Sequence, residues 1–221
     1  GGNHRALVGE SLNMNRIHLA LLATCALLST TYEPDFAGRD AVHSTAYAST
    51  SGEDAARDEE LVEHIVRRLA SRRATLSERD QRMLAETIVR EARAQGLEPH
   101  LVAAVIEVES AGHHRAVSHV GALGLMQILP ETGRELAAKH GVPWSGPDTL
   151  FDPQINVKLG AAYLRELTNR YGDVSIALAA YNWGPGVIDR RLRDGDTLPS
   201  EYIDSVMRAF VREPAGATRP S

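Results

Sequence analysis

The sequence predicts an all-α protein with one helix buried at its centre. Apolar residues recur at helical spacing through most of residues 56–210. Residues 99–110 leave almost no polar face, which is typical of a helix at the centre of a bundle. No run of alternating polar and apolar residues is long enough to predict a strand. The 221 residues, 43% of them hydrophobic, allow one globular domain of ordinary size.

Charge, cysteine content and histidine spacing exclude several classes of function. The chain has 24 basic and 29 acidic residues, and this mildly acidic balance argues against nucleic acid as a partner. Cys25 is the only cysteine, so no intramolecular disulfide can form and no C-x-x-C pair can hold zinc. His113, His114 and His119 match no zinc-binding motif, so we expect no metal and no cofactor.

Residues 1–55 are predicted to be an export signal or leader followed by a linker. Met14 is a candidate start, and a basic residue, the apolar run 17–28 and a polar run follow it, as in export signals. This apolar run is too short to span a bilayer comfortably. Residues 29–55 mix small, polar and proline residues without a sustained period, which is typical of a linker or disordered segment.

Three interpretations of the leader stay open. Ala46-Tyr47-Ala48 has the small-x-small form of a cleavage site but lies far from the apolar run. Residues 22–25 resemble a lipoprotein acylation site, in which Cys25 would carry a lipid that anchors the protein to a membrane. Alternatively, residues 17–28 form a buried helix of the domain. An exported chain would lie in the periplasm or the cell envelope.

An amphipathic helical hairpin is predicted to precede the central helix. Residues 56–72 place apolar residues at helical spacing among charges, so this helix needs a partner to pack on. The next helix has Ser77 as its cap and an apolar stripe, and Gly96 is placed to end it. The two helices together form the hairpin.

Capping residues predict the helices of the second half. Asp152 with Pro153 opens one helix, and Asp173 opens another. Residues 56–211 are therefore predicted to be the folded domain, with a polar tail over 212–221. The later helices are predicted at 131–140, 153–170, 174–182 and 200–210.

Glu109 lies at the C-terminal end of the most apolar helix, three residues before Gly112. Burial among apolar neighbours and the partial negative charge of the helix C-terminus both raise the pKa of a carboxyl group there. A carboxyl group that stays protonated near neutral pH can donate a proton. The alternative is a solvated glutamate at a frayed helix end. Glu107 faces another way, because two residues turn a helix by about 200°. A structural role is favoured for it, either beside a partner cation or at an exposed edge.

Two stretches rich in glycine have residue types suited to ligand binding. In residues 118–127, small residues let the backbone approach a ligand closely. Residues 180–186 end a helix with a phenol, an amide and an indole, and carbohydrate sites favour this mixture because aromatic faces pack on sugar rings. The alternatives are a tight connection for the first stretch and core or rim residues for the second.

Short motifs follow one another along the chain in a specific order. They are Ala104-Val105-Ile106-Glu107-Val108-Glu109-Ser110, Ala116-Val117-Ser118, Gly121-Ala122-Leu123-Gly124-Leu125-Met126-Gln127, Pro130 with Thr132, Asn156, Gly160, Tyr163-Leu164 and Ala180-Tyr181-Asn182-Trp183-Gly184-Pro185-Gly186. This series closely resembles the catalytic domain of soluble lytic transglycosylases, in the goose-type lysozyme-like superfamily. The resemblance covers roughly residues 85–210, and it implies a lysozyme-like fold that acts on the glycan strands of peptidoglycan.

The resemblance also implies roles for matching positions. Glu109 falls on the catalytic glutamate, and Tyr181 falls on a tyrosine that hydrogen-bonds it. Trp183 departs from the family pattern, in which this position usually holds a small residue such as Ala. The positions implied to bind or adjoin the glycan are Ser118, Met126, Gln127, Tyr163, Tyr181, Asn182 and Tyr202.

The implied reaction needs only one carboxyl group. Most glycosidases use two carboxylates, yet no acid lies between Glu109 and Glu131. The resemblance implies cleavage of the bond between N-acetylmuramic acid and N-acetylglucosamine without water, which closes a 1,6-anhydro ring. Two alternatives stay open: hydrolysis of the same bond by a goose-type lysozyme-like enzyme, and a glycan-binding protein without turnover.

Overall fold

The structure is a computed structural model, which describes the backbone of residues 40–70 and 76–211 and the side chains of residues 55–70 and 76–211. All of these side chains belong to one compact unit, Thr45–Ser221. The apolar run 17–28, with the Cys25 acylation site, and the predicted tail lie outside the described residues.

The described residues fold into α-helices. Only isolated β-bridges occur, near Leu123, and no strand is present in these residues, so the all-α prediction is confirmed. No helix within 40–70 and 76–211 combines the length and the apolar character needed to cross a membrane. The helices are α1 (Asp40–Ala70), α2 (Glu78–Ala94), α3 (Pro99–Ser110), α4 (Pro130–Lys139), α5 (Pro153–Tyr171), α6 (Val174–Trp183), α7 (Pro185–Asp194) and α8 (Glu201–Val211), with a 3-10 helix over Pro147–Phe151.

The predicted capping residues start the predicted helices. The Ser77 hydroxyl accepts a hydrogen bond from a backbone N–H in the first turn of α2. The Asp152 carboxylate accepts two backbone N–H groups of α5, at 2.9 and 3.0 Å, and Asp173 accepts one from α6 at 3.0 Å. These side chains satisfy donors that a helix N-terminus leaves without partners, so the helix starts are fixed locally.

Two features differ from the sequence prediction. Helix α1 begins at Asp40 and not near residue 56, so part of the predicted linker is helical; no proline interrupts the sequence there. The sequence does not predict helix α7, because residues 180–186 are interpreted as a stretch that ends a helix and could bind a ligand. Pro185 in fact stands in the first turn of α7, a position that proline favours because its φ is already helical.

Helix α3 is the central helix, as predicted. Val102, Ala104, Val105 and Ile106 are fully buried in it. It packs against both α2 and α8. Helix α5 packs against both α2 and α6. The apolar faces of α1 and α2 join the same core, and Arg82 of α2 pairs with acidic residues of α1, so the predicted hairpin is confirmed.

A buried ion pair links three helices near the end of α3. The Arg68 guanidinium of α1 lies 2.9 Å from the Glu107 carboxylate, and both side chains are less than a tenth exposed. Arg68 also donates a hydrogen bond to the backbone carbonyl of Ala209 in α8. The structural role predicted for Glu107 is therefore confirmed, and of its two predicted explanations the structure shows the partner cation.

We expect the substitution Arg68→Met to lower the free energy of unfolding by about 3–5 kcal/mol, because it breaks a buried ion pair. Urea denaturation measures this change. The double variant Arg68→Met, Glu107→Leu should recover most of the loss, since an apolar pair replaces the charged one. Arg82→Met, at an exposed ion-pair cluster, is the control and should change stability little. A single Arg68→Met variant as stable as the parent would contradict the assignment.

Candidate active site

The C-terminus of α3 is shaped by a left-handed turn beside Glu109. Ala111 and Gly112 both have positive φ, 51° and 82°, so the chain leaves the helix sharply after Ser110. The Ser110 hydroxyl lies 2.8 Å from the carbonyl oxygen of Leu125 and is buried. This contact fastens the end of α3 to the glycine-rich loop over residues 116–128.

Glu109 is held by one phenol and is partly buried. The Tyr202 hydroxyl of α8 donates a hydrogen bond of 2.6 Å to its carboxylate. Burial raises the pKa of Glu109 from 4.5 to about 7, and the hydrogen bond from Tyr202 opposes part of this rise. Among the residues that the structure describes, no other carboxylate contributes to the shift. The site therefore presents one carboxyl group that can hold a proton near neutral pH.

The prediction that Tyr181 hydrogen-bonds the glutamate is wrong. The Tyr181 hydroxyl donates instead to the backbone carbonyl of Met126, at 2.8 Å, and Tyr202 contacts Glu109. Burial and the nearby charge of Glu109 both raise the pKa values of the two tyrosines well above the usual range, so both phenols stay protonated donors. Tyr202 contacts Glu109 in place of Tyr181 because α8 packs on α3, which brings together residues 93 positions apart.

Asn156 of α5 fixes the shape of the glycine-rich loop. Its side chain is fully buried, and its oxygen accepts the backbone N–H of Met126 at 2.8 Å. Its amide nitrogen donates to the carbonyl oxygens of Leu123 and Leu150, at 3.0 and 2.8 Å. Gly124 has φ of 80°, and a Cβ atom there would lie 2.3 Å from the Asn156 amide, so only glycine fits.

The structure places Met126 in the core and not along a groove. Its side chain is fully buried against Gly160, where a Cβ atom would lie 2.4 Å from the Met126 sulfur. The full burial of Met126 argues against the predicted contact of this residue with glycan. Its role is to pack the loop onto α5, and the absence of a side chain at Gly160 makes room for it.

Ser118 and Gln127 also support the loop from within. The Ser118 hydroxyl accepts the backbone N–H of Ala122 at 2.9 Å. Gln127 has a left-handed backbone, with φ of 47°, and its amide donates to the carbonyl of Gly124 at 2.8 Å. Gln127 also lines a cavity, so its side chain combines a structural contact with access to that space.

Two adjoining cavities lie beside these residues. The first encloses about 250 Å³, and Gln127, Tyr163 and Tyr181 line it. The second encloses about 490 Å³ and is lined by residues 199–202, including the tyrosine that holds Glu109. Asn182 and Trp183 line both cavities. Five of the predicted binding residues therefore line these two cavities: Gln127, Tyr163, Tyr181, Asn182 and Tyr202.

Two positioning residues had no predicted role. The sequence identifies Asn156 and Ser110 only as parts of motifs, yet each makes buried hydrogen bonds to the glycine-rich loop. Asn156 lies among apolar helix positions, and this pattern could have predicted its role because a buried amide group needs hydrogen-bond partners. In the described part of the chain, no group of three His, Cys, Asp or Glu side chains is arranged to hold a metal ion.

Comparisons with known proteins agree on one family. Residues 86–203 match the family model of the Transglycosylase SLT domain. A transglycosylase of Enterobacteria phage PRD1 is 44% identical over 99 residues, which are 45% of this chain and 34% of the phage protein. The soluble lytic murein transglycosylase of Salmonella typhimurium is 34% identical over 147 residues, 65% of this chain and 22% of that protein. The chain thus matches at most about a third of the length of either relative.

One solved structure adds to these matches. It is the X-ray structure of an inactive mutant of the lytic transglycosylase Slt from Pseudomonas aeruginosa, which is 38% identical. The match has a TM-score of 0.47 and covers 56% of this chain and 20% of that one.

We expect Tyr202→Phe to raise the pKa of Glu109 above about 7, because the hydrogen bond that favours the ionised carboxylate is lost while burial remains. A ¹³C NMR titration of the glutamate carboxyl groups measures this pKa. Tyr171→Phe is the matched control, since the Tyr171 hydroxyl bonds Asp189 and not Glu109. A lower or unchanged pKa in the Tyr202 variant would refute the contact.

Proposed function

This chain belongs to the Transglycosylase SLT domain family, and on that premise we propose that it is a peptidoglycan lytic transglycosylase. It cleaves the β-1,4 bond between N-acetylmuramic acid and N-acetylglucosamine and leaves 1,6-anhydro ends. The observation that carries this proposal is the partly buried carboxyl group of Glu109, whose pKa of about 7 suits it to give and regain a proton.

In the first step, Glu109 acts as an acid. Its proton passes to the glycosidic oxygen, the bond from that oxygen to C1 of N-acetylmuramic acid breaks, and N-acetylglucosamine leaves with a free 4-hydroxyl. The acetamido oxygen of the muramic acid bonds to C1 and takes up the positive charge. Substrate assistance of this kind replaces the second carboxylate of most glycosidases.

In the second step, the ionised Glu109 acts as a base. It removes the proton of the muramic acid 6-hydroxyl, whose oxygen bonds to C1 while the bond from the acetamido oxygen breaks. A 1,6-anhydro ring forms, and Glu109 regains its proton without consuming water. Tyr202 orients the carboxyl group of Glu109 by its hydrogen bond. The same hydrogen bond favours the ionised form of Glu109, which the second step requires.

The glycan strand occupies the two cavities in this proposal. Tyr163 and Tyr181 offer aromatic faces with ring centres 5.3 Å apart, and Asn182 and Gln127 offer amide groups. Ser118 contributes indirectly: its hydroxyl holds the backbone of the glycine-rich loop in place. We propose that residues 56–211 form the catalytic domain and that an export signal directs it to the periplasm or cell envelope, either released or anchored through a lipidated Cys25. The signal pattern in the sequence supports this location.

We expect Glu109→Gln to abolish release of soluble muropeptides from purified sacculi, because an amide cannot deliver the proton. Mass spectrometry of the products checks both the loss and the chemistry. The parent protein should give anhydro-muropeptides, lighter by one water than hydrolysis products. Glu131→Gln, at the next acid along the chain and well exposed, is the control and should retain activity. Hydrated products would show a lysozyme-like hydrolase, and no products from the parent protein would refute the activity.

The rate should fall as pH rises through about 7. Below this pH Glu109 is protonated and can act as the acid. Above it, the protonated fraction of Glu109 falls about tenfold with each further pH unit. Turbidity loss of a sacculus suspension between pH 5 and 9 measures the profile, and circular dichroism confirms folding at each pH. A rate that rises through pH 7 in a folded protein would contradict the role as acid.

A further inference from the structure

Trp183 presents an indole to solvent at the junction of the two cavities. Its side chain is 50% exposed although it is one of the largest apolar groups in the chain. It lies at the last position of α6, where Gly184, with φ of 82°, turns the chain directly into α7. Both cavities include it in their walls. An aromatic face so placed contributes little to the core and is available to a ligand.

The turn that carries Trp183 is fixed by contacts on its far side. Asp189 of α7 accepts a hydrogen bond of 2.9 Å from the Tyr171 hydroxyl, and Arg170 pairs with the same carboxylate at 2.5 Å. The Tyr171 hydroxyl also lies 3.2 Å from the carbonyl oxygen of Pro185. These contacts tie α7 to the end of α5, so the position of the α6–α7 turn is set before a ligand arrives. Such preorganisation lowers the entropy lost on binding.

We propose that Trp183 is a stacking platform for the face of an N-acetylhexosamine ring and that it determines how tightly the glycan is held across the two cavities. The proposal rests on the proposed function, because it names the ligand of that same cleft. A pyranose presents C–H groups on its faces and hydroxyl and acetamido groups at its edge. The indole suits the face, while Asn182 and the phenols nearby suit the edge.

Binding of a tetrasaccharide of β-1,4-linked N-acetylglucosamine tests the contact. The chain has two tryptophans, so Trp144→Phe leaves Trp183 as the only indole reporter. We expect its fluorescence to shift to shorter wavelength as the sugar saturates the site. Trp183→Ala should weaken binding by about threefold to tenfold, measured by calorimetry. Trp183→Phe should keep most of the affinity, whereas Trp183→Leu, which is apolar but has no flat face, should weaken binding as much as Trp183→Ala does.

Digestion of sacculi separates failure of this inference from failure of the proposed function. If the parent forms anhydro products, Trp183→Ala and Trp183→Leu should raise KM by a similar factor and leave kcat nearly unchanged, since the indole binds sugar and does not touch the reacting atoms. Equal KM values for the parent and both variants would overturn the platform while leaving the activity standing. If the parent forms no anhydro products but shows the fluorescence shift and the difference between the Phe and Leu variants, the stacking role of Trp183 stands and the proposed activity fails. Should the tetrasaccharide fail to bind an active parent, the KM comparison alone decides.

Discussion

The partly buried carboxyl group of Glu109 is the constraint on which the arrangement of the site depends. Raising its pKa from 4.5 to about 7 means that its environment disfavours the ionised form by roughly 3 kcal/mol. That cost is comparable to a sizeable part of the stability of a domain, so the surrounding core must supply it. The apolar helix α3 and its packing against α2 and α8 provide the shielding, and they leave one phenol in contact with the charge.

Two glutamates of the same helix contact different partners because they point to different sides of the helix axis. Glu107 points toward α1 and meets a guanidinium, whereas Glu109 points toward Tyr202 and meets a phenol. The Arg68 pair also reaches α8 through Ala209, so one contact helps to hold the helix that supplies Tyr202. Because Arg68 lies outside residues 86–203, helices beyond the family match contribute to the geometry of the site.

Local features of the sequence predicted much of this arrangement, and long-range packing decided the rest. Ser77, Asp152 and Asp173 act on backbone groups within three residues, so their roles can be read without a fold. The burial of α3 follows from its composition. The exchange of Tyr181 for Tyr202 could not be predicted, because it depends on the angle at which α8 crosses α3. The burial of Met126 likewise depends on which face of α5 carries Gly160, opposite the loop.

The site divides into a part fixed by backbone contacts and a part free to vary. Asn156, Ser110 and Gly124 bind or adjoin backbone atoms, so substitution there would move the loop beside Glu109. Trp183 instead projects from a turn whose position Asp189 and Tyr171 maintain, and half of its own side chain is exposed. A change at this position can therefore alter the sugar-facing surface while the carboxyl group keeps its surroundings. This separation explains physically how the residue at position 183 can change while the surroundings of Glu109 stay the same.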